Sequence, residues 1–127
     1  MCGFYFSTND FFNSSSTARM KARGPDSIKD LTVNNCRFVH THLSIFSDIH
    51  EQPYLDEKNE IVLLFNGEIY NAPKGISEAQ FIINLYTQNG IKGFEKLDGE
   101  FAVVLVDFAQ EEVVLASDPF GTKPCFY

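Results

Sequence analysis

Residues 61–65 (Ile-Val-Leu-Leu-Phe) form an unbroken apolar run, and Asn66-Gly67 follows at once. The run is too short for a core helix and too continuous for a strand with one wet face. It predicts a strand covered on both sides, and Asn-Gly predicts that this strand stops there in a tight turn. A strand of that kind needs a layer on each face. The next signal supplies one: Ser77-Glu78-Ala79-Gln80 has the form of a capping box, and Ala79, Ile82, Ile83 and Tyr86 recur at helical spacing up to Asn89-Gly90, which ends the helix.

The remaining elements follow from the same rules. A shorter helix is expected over 92–97, closed by Asp98-Gly99. Strands are expected over 101–106 and 113–116 with a polar turn at 109–112 between them. Asp118-Pro119-Phe120-Gly121 reads as a turn and 124–127 as one more strand. Upstream, 2–7 reads as a first strand covered on both faces, 8–17 as an Asn- and Ser-rich loop, and 18–22 as a short helical turn. Arg23-Gly24-Pro25-Asp26 enforces a bend. A strand is expected over 36–41, continued after a kink by 43–46, and 48–60 reads as a polar surface excursion. With no repeat, linker or low-complexity tract, residues 1–127 are expected to form a single α+β domain.

Composition excludes several functions. Seventeen acidic residues against ten basic ones give a net charge of -7, which argues against nucleic-acid binding, because that needs clustered Lys and Arg. Neither a signal peptide nor a long apolar run is present in the sequence, so no membrane association is expected. The three cysteines, Cys2, Cys36 and Cys125, are an odd number without paired spacing. They predict free thiols and a cytoplasmic location rather than a disulfide framework. Cys36 and Cys125 lie in apolar runs and are expected to be buried as small hydrophobes. Phe11-Phe12 is expected to anchor its loop.

Cys2 is the candidate nucleophile. Methionine before a small residue is the usual setting for removal of the initiator, which would leave Cys2 with both a thiol and a free amine. Free thiols and α-amines ionise within about one unit of each other, so the amine can accept the thiol proton, placing nucleophile and base on one residue. His40 and His42 alternate on a strand and share a face. No further His or Cys pair accompanies them, so they read as strand residues near a substrate pocket rather than a zinc site. No metal and no cofactor is expected.

Five stretches then occur in a telling order: Met1-Cys2-Gly3, Arg23-Gly24-Pro25-Asp26, Phe65-Asn66-Gly67-Glu68-Ile69-Tyr70-Asn71, Leu97-Asp98-Gly99-Glu100-Phe101-Ala102 and Asp118-Pro119-Phe120-Gly121-Thr122-Lys123-Pro124. Over essentially its whole length the chain resembles the N-terminal glutaminase domain of class II glutamine amidotransferases, of the asparagine synthetase (glutamine-hydrolysing) type. The resemblance implies the N-terminal nucleophile hydrolase fold, an αββα sandwich of two antiparallel sheets, here incomplete at its C-terminal end. It implies that Cys2 attacks the side-chain amide of L-glutamine through a thioester. Asn66 would supply a side-chain amide and Gly67 a backbone N–H to the oxyanion. Glu68 would help hold the amino-acid end of the substrate, and Arg23 to Asp26 would steady the wall of the site by a turn and an ion pair.

The substrate clamp departs from the family pattern. Where an Arg usually grips the glutamine α-carboxylate, the chain reads His40-Thr41-His42-Leu43-Ser44-Ile45, and His42 lacks the bidentate guanidinium fork. Where Ser-Asp usually holds the α-amino group, the chain has Ser77-Glu78, with Glu78 one methylene longer. Ser117 replaces the Arg that usually precedes Asp-Pro-Phe-Gly. Weakened or shifted selectivity is the expected consequence. Two functions of different class stay open at this point. One is glutamine hydrolysis giving glutamate and ammonia for a synthetase domain or subunit, where ATP would be used. The other is a degenerate amidotransferase module serving as a non-catalytic binding or regulatory subunit. A sandwich cut short would expose a sheet edge, so a partner chain or a homo-oligomer is expected to cover it. A short natural protein and a piece of a longer one fit the sequence equally.

Overall fold

The computed structural model of the chain describes residues 2–9, 14–43 and 51–127. The expectations for Met1, for Phe11-Phe12 and for 44–46 lie outside the described residues. The chain divides into two compact units, Met1–Pro53 and Tyr54–Tyr127, each built on one antiparallel sheet. The class is α+β with two antiparallel sheets and few helices, as expected.

In the first unit the strands are β1 (Gly3–Ser7), β2 (Ser27–Val33) and β3 (Cys36–His42), in the order β1-β3-β2. The central strand β3 carries the burial: Phe38, Val39 and Thr41 are fully buried and His40 nearly so. The expected first strand is present, but its residues are half-buried rather than covered on both faces. β2 was not expected from the sequence. It is an edge strand whose Ile28, Leu31 and Val33 are half-buried while Ser27, Lys29, Asp30 and Thr32 are exposed, so it offers no apolar run. Its pairing with β3 is set by Asn34-Asn35, both at positive φ (48° and 64°), the backbone that a two-residue hairpin turn requires and that Asn tolerates. Arg37 grips Asp30 across this hairpin, Nη2 to Oδ2 at 2.7 Å. The helical turn expected over 18–22 is a longer helix, α1 (Ser14–Lys21), with Arg19 and Lys21 in its last turn, where cations complement the helix dipole.

The second unit orders its strands β4 (Tyr54–Asp56), β5 (Ile61–Ile69), β6 (Gly99–Asp107) and β7 (Glu112–Ser117). The first six residues of β5 are all buried, as the apolar run predicts. Ile61, Leu63 and Phe65 pack with Phe101, Val103 and Leu105 of β6 beneath Ala79, Ile82, Ile83 and Tyr86 of α2 (Glu78–Asn89). Ser77 Oγ accepts the N–H of Gln80 at 3.1 Å. The Gln80 side chain bonds Tyr54 and Asn84 rather than returning to the cap, so only half of the expected box forms. Gly90, at φ 61°, ends α2.

Several expectations are corrected here. β5 does not stop at Asn66-Gly67: the ladder runs on to Ile69, with Gly67 opposite Phe101 and Ile69 opposite Gly99, because glycine lets the two backbones close where a hairpin turn was expected. β4 lies inside the stretch read as a surface excursion. The second helix is a 3-10 helix over Gly90–Lys96. Residues 124–127 form no strand, and Phe126 and Tyr127 are exposed. Cys36 and Cys125 are half-buried, and burial pushes the Cys125 thiol up. Among the described residues no helix is long and apolar enough to cross a membrane, and no group of three or more His, Cys, Asp and Glu could hold a metal ion.

Candidate active site

In the first unit the thiol of Cys2 is positioned by strand pairing. Gly3 stands opposite Thr41 in the β1–β3 ladder, so Cys2, one residue earlier, comes beside His42, one residue later. Its Sγ lies 3.7 Å from His42 Nδ1 and 4.0 Å from the carbonyl oxygen of Leu43. Thr41 Oγ1 donates to the carbonyl of Gly3 at 3.2 Å and fastens the two strand ends together. All three cysteines are free and half-buried.

The Arg23-Gly24-Pro25-Asp26 bend braces the same corner. A Cβ on Gly24 would stand 2.5 Å from the carbonyl carbon of Thr41 and 2.6 Å from the nitrogen of His42, so only glycine lets this turn lie flat on the end of β3. Asp26 then donates its N–H to the His42 carbonyl at 3.1 Å. His40, two residues before His42, is 2% exposed, and its ring centroid is 6.1 Å from that of His42. Burial first, and the neighbouring His42 second, lower His40 from 6.5 to about 4, so it is neutral at pH 7. Nε2 of both rings is buried without a hydrogen-bond partner.

The second unit holds Asn66, Gly67, Glu68 and Glu78. Asn66 is buried and Glu68 exposed. Gly67 has φ 141°, and a Cβ there would lie 1.9 Å from the carbonyl oxygen of Glu100. The ladder determines where its N–H points. Phe101, the partner of Gly67, gives its N–H to Asp118 Oδ2 at 3.2 Å and takes the Asp118 N–H at 2.9 Å, so its polar groups face away from β5. Gly67 and Phe101 are therefore a non-hydrogen-bonded pair, and the N–H of Gly67 leaves the sheet on the side away from β6. Ile69, two residues on, has the same direction and donates to Glu78 Oε1 at 2.6 Å. β4 pairs with β5 no further along than Leu63.

The flanking motifs fasten this strand pair. The carboxylate of Asp118 also accepts from the N–H groups of Phe120, Thr122 and Lys123 and from the Thr122 hydroxyl. Burial alone would raise this carboxyl, but the bonds from Thr122, Lys123 and Phe101 outweigh it and lower it to about 2. Lys123 Nζ lies 2.9 Å from Glu100 Oε1, which offsets the like charges of Glu68 and Glu100 facing each other in register. Asn71 Oδ1 accepts the N–H of Asp98, while Tyr70 donates its N–H to the Asp98 carbonyl.

The structure thus brings Cys2 and His42 together in one unit, and Asn66, Gly67 and Glu68 together on β5 of the other, with Glu78 engaged on Ile69 next along the strand. The Cys2–His42 contact depends on the β1–β3 register, which strand patterns do not reveal across forty residues. The role of Asp118 had a visible signal in the Asp-Pro-Phe-Gly-Thr turn, since Asp commonly caps such a turn with its side chain.

The first unit thus carries a free thiol at the start of β1, and the second a strand N–H turned out of its ladder beside the buried Asn66. The chain matches the glutamine amidotransferase domain family over residues 1–127, and it belongs to that family. Its relatives include asparagine synthetase [glutamine-hydrolyzing] 2 of Bacillus subtilis, 33% identical over 83% of this chain and 16% of that protein. The human asparagine synthetase [glutamine-hydrolyzing] is 34% identical over 99% of this chain and 26% of its own length. The first enzyme of that name from Saccharomyces cerevisiae is 34% identical over 81% of this chain and 20% of its length. The chain therefore spans about a quarter or less of the curated relatives it matches.

Proposed function

We propose that residues 1–127 act as one glutaminase domain, hydrolysing the side-chain amide of L-glutamine with Cys2 as nucleophile. The observation that carries this reading is the outward direction of the Gly67 N–H, beside the buried Asn66, in a chain that matches an amidotransferase family throughout. Cys2 Sγ adds to the amide carbon, its proton passing to the residue's own α-amine once Met1 is removed. Asn66 and Gly67 donate to the oxygen that becomes negative. Nitrogen then leaves as ammonia, and water hydrolyses the thioester to glutamate. Glu68 and Glu78 attract the α-amino group, and the imidazole of His42 faces the α-carboxylate. The ammonia passes to a synthetase domain or subunit like those of the longer relatives.

Glutamate release from L-glutamine tests this reading, with the parent chain beside Cys2→Ala and mass spectrometry establishing that Met1 has been removed. Activity that Cys2→Ala abolishes is the expected result. No release by a folded, processed chain supplied with a synthetase partner would overturn it.

A further inference from the structure

Two glutamates stand side by side where the β5–β6 strand pair ends, and a lysine is committed to one of them. Glu68 of β5 faces Glu100 of β6 directly in register. Side chains facing each other in an antiparallel pair share one face, with Cβ atoms about 5 Å apart. Lys123 Nζ lies 2.9 Å from Glu100 Oε1, whereas Glu68 is exposed and, among the described residues, pairs with no cation. We propose that Glu100 is a positioning residue for substrate binding: it keeps the Lys123 ammonium occupied and so leaves the Glu68 carboxylate open to the α-ammonium of L-glutamine. This rests on the proposed glutaminase reading, in which Glu68 attracts that group.

The ion pair is built into the fold at both ends. The N–H of Lys123 donates to Asp118 Oδ2 at 3.3 Å and that of Thr122 to Asp118 Oδ1 at 3.1 Å, so the lysine reaches out from backbone anchored on a buried residue. Phe101, next to Glu100, is pinned by the same carboxylate. The Lys123 side chain is 16% exposed and that of Glu100 35%, against 53% and 73% in the Lys29–Glu51 bridge, so solvent and salt screen this pair less. Desolvation first, and then Glu100 and Glu68, raise the Tyr70 hydroxyl against a smaller opposing effect of Lys123. The lysine therefore does not cancel the two carboxylates, and a negative field remains next to Gly67. Glu78 is already partly committed, one of its oxygens taking the Ile69 N–H at 2.6 Å. Glu68 is the freer of the two glutamates in the proposed ammonium clamp.

Charge and reach explain why the pairing matters. Glu68, Glu100 and Lys123 together leave one negative charge, which one α-ammonium neutralises. Without the charge on Glu100, nothing would hold the lysine on that side of the strand pair. Its long flexible stem would then let the ammonium swing across to Glu68, which faces Glu100 in register. Substrate would have to displace an internal cation before it could bind. That weakens binding of substrate and transition state alike, so it raises KM and leaves the chemical step untouched.

Glutamine kinetics of the processed chain test this with Glu100→Gln and with Glu100→Gln combined with Lys123→Met. Glu100→Gln is expected to raise KM about tenfold with kcat within about twofold of the parent. Adding Lys123→Met should bring KM back to within about twofold of the parent, because the competing cation is gone. An unchanged KM in Glu100→Gln overturns the proposal. So does a raised KM that Lys123→Met leaves raised, since Glu100 would then act on the substrate or the fold directly. Thermal melting reads the same switch without substrate. Glu68→Gln is expected to raise Tm by about 2 °C in the parent, where it removes a like-charge contact, and to lower it by about as much beside Glu100→Gln, where it removes the new ion pair. The same change in both backgrounds overturns the proposal. Reversal in a chain that releases no glutamate would sink the glutaminase reading alone. Glutamate release without reversal would sink this inference alone.

Discussion

Asp118 and Phe101 hold each other by two hydrogen bonds, Asp118 N–H to the Phe101 carbonyl at 2.9 Å and Phe101 N–H to Asp118 Oδ2 at 3.2 Å. This exchange extends the β6–β7 ladder by one residue beyond Ser117, with a side chain standing in for one backbone carbonyl. It also uses up the polar groups of Phe101, which is why the backbone of Gly67, directly opposite, points the other way. A turn some fifty residues from Asn66 thereby governs the direction of the candidate oxyanion donor.

The Asp118 carboxyl gives the first prediction. Its native value, lowered to about 2, lies below the unfolded value of about 3.9, so the unfolded chain binds the proton more readily. The stabilisation is fully present above about pH 4 and disappears as pH falls through about 2. Thermal melts of the parent between pH 2 and 5 are expected to drop across that window. Asp118→Asn, whose amide turns two hydrogens toward a ring of N–H donors, is expected to melt about 5 °C or more below the parent at pH 7. It should lose less on acidification, and equal melting curves for the two proteins would contradict this.

His40 sets a second window with the same sign and a different origin. Buried and lowered to about 4, it charges in the unfolded chain before it charges in the folded one. Its contribution is complete above about pH 6.5, declines as pH falls, and levels off below about 4. The full span is on the order of 3 kcal/mol. His40→Leu is expected to flatten denaturant-unfolding stability between about pH 4 and 6.5, and an unaltered pH dependence would refute the assignment.

How much of this was legible in the sequence depended on which force decided each element. The apolar run of β5 and the helical spacing of α2 are decided by burial, which sequence pattern records directly. β2 is decided by a hairpin turn and by β3, and its half-polar face looks like loop. Gly67 misled in an informative way: Asn-Gly signals a turn in most chains, whereas here the absent Cβ serves close approach of two strands. The ordered motifs identified the family and hence Cys2, Asn66 and Gly67 as candidates. The proximity of His42 to Cys2 needed coordinates, because it is produced by pairing across forty residues.

His42→Arg tests the carboxylate clamp. Arginine supplies the bidentate fork for a carboxylate that imidazole lacks. With glutamine as substrate, KM is expected to fall by about tenfold, and an unchanged KM would show that residue 42 does not hold the α-carboxylate.

Gly67→Ala tests the strand pair on which the oxyanion reading depends. The new methyl would meet the Glu100 carbonyl oxygen at 1.9 Å, and the backbone would be held at φ 141°, where L-residues are strained. Glu100 cannot retreat freely, because Phe101 beside it is pinned by Asp118 and its own carboxylate by Lys123. The strands must separate locally, which turns the residue-67 N–H away from its present direction. Glutamate release is expected to fall by about a hundredfold or more, with Tm lower by several degrees. Activity within about twofold of the parent, in a protein melting at the parent temperature, would show that the N–H of residue 67 does not bind the oxyanion.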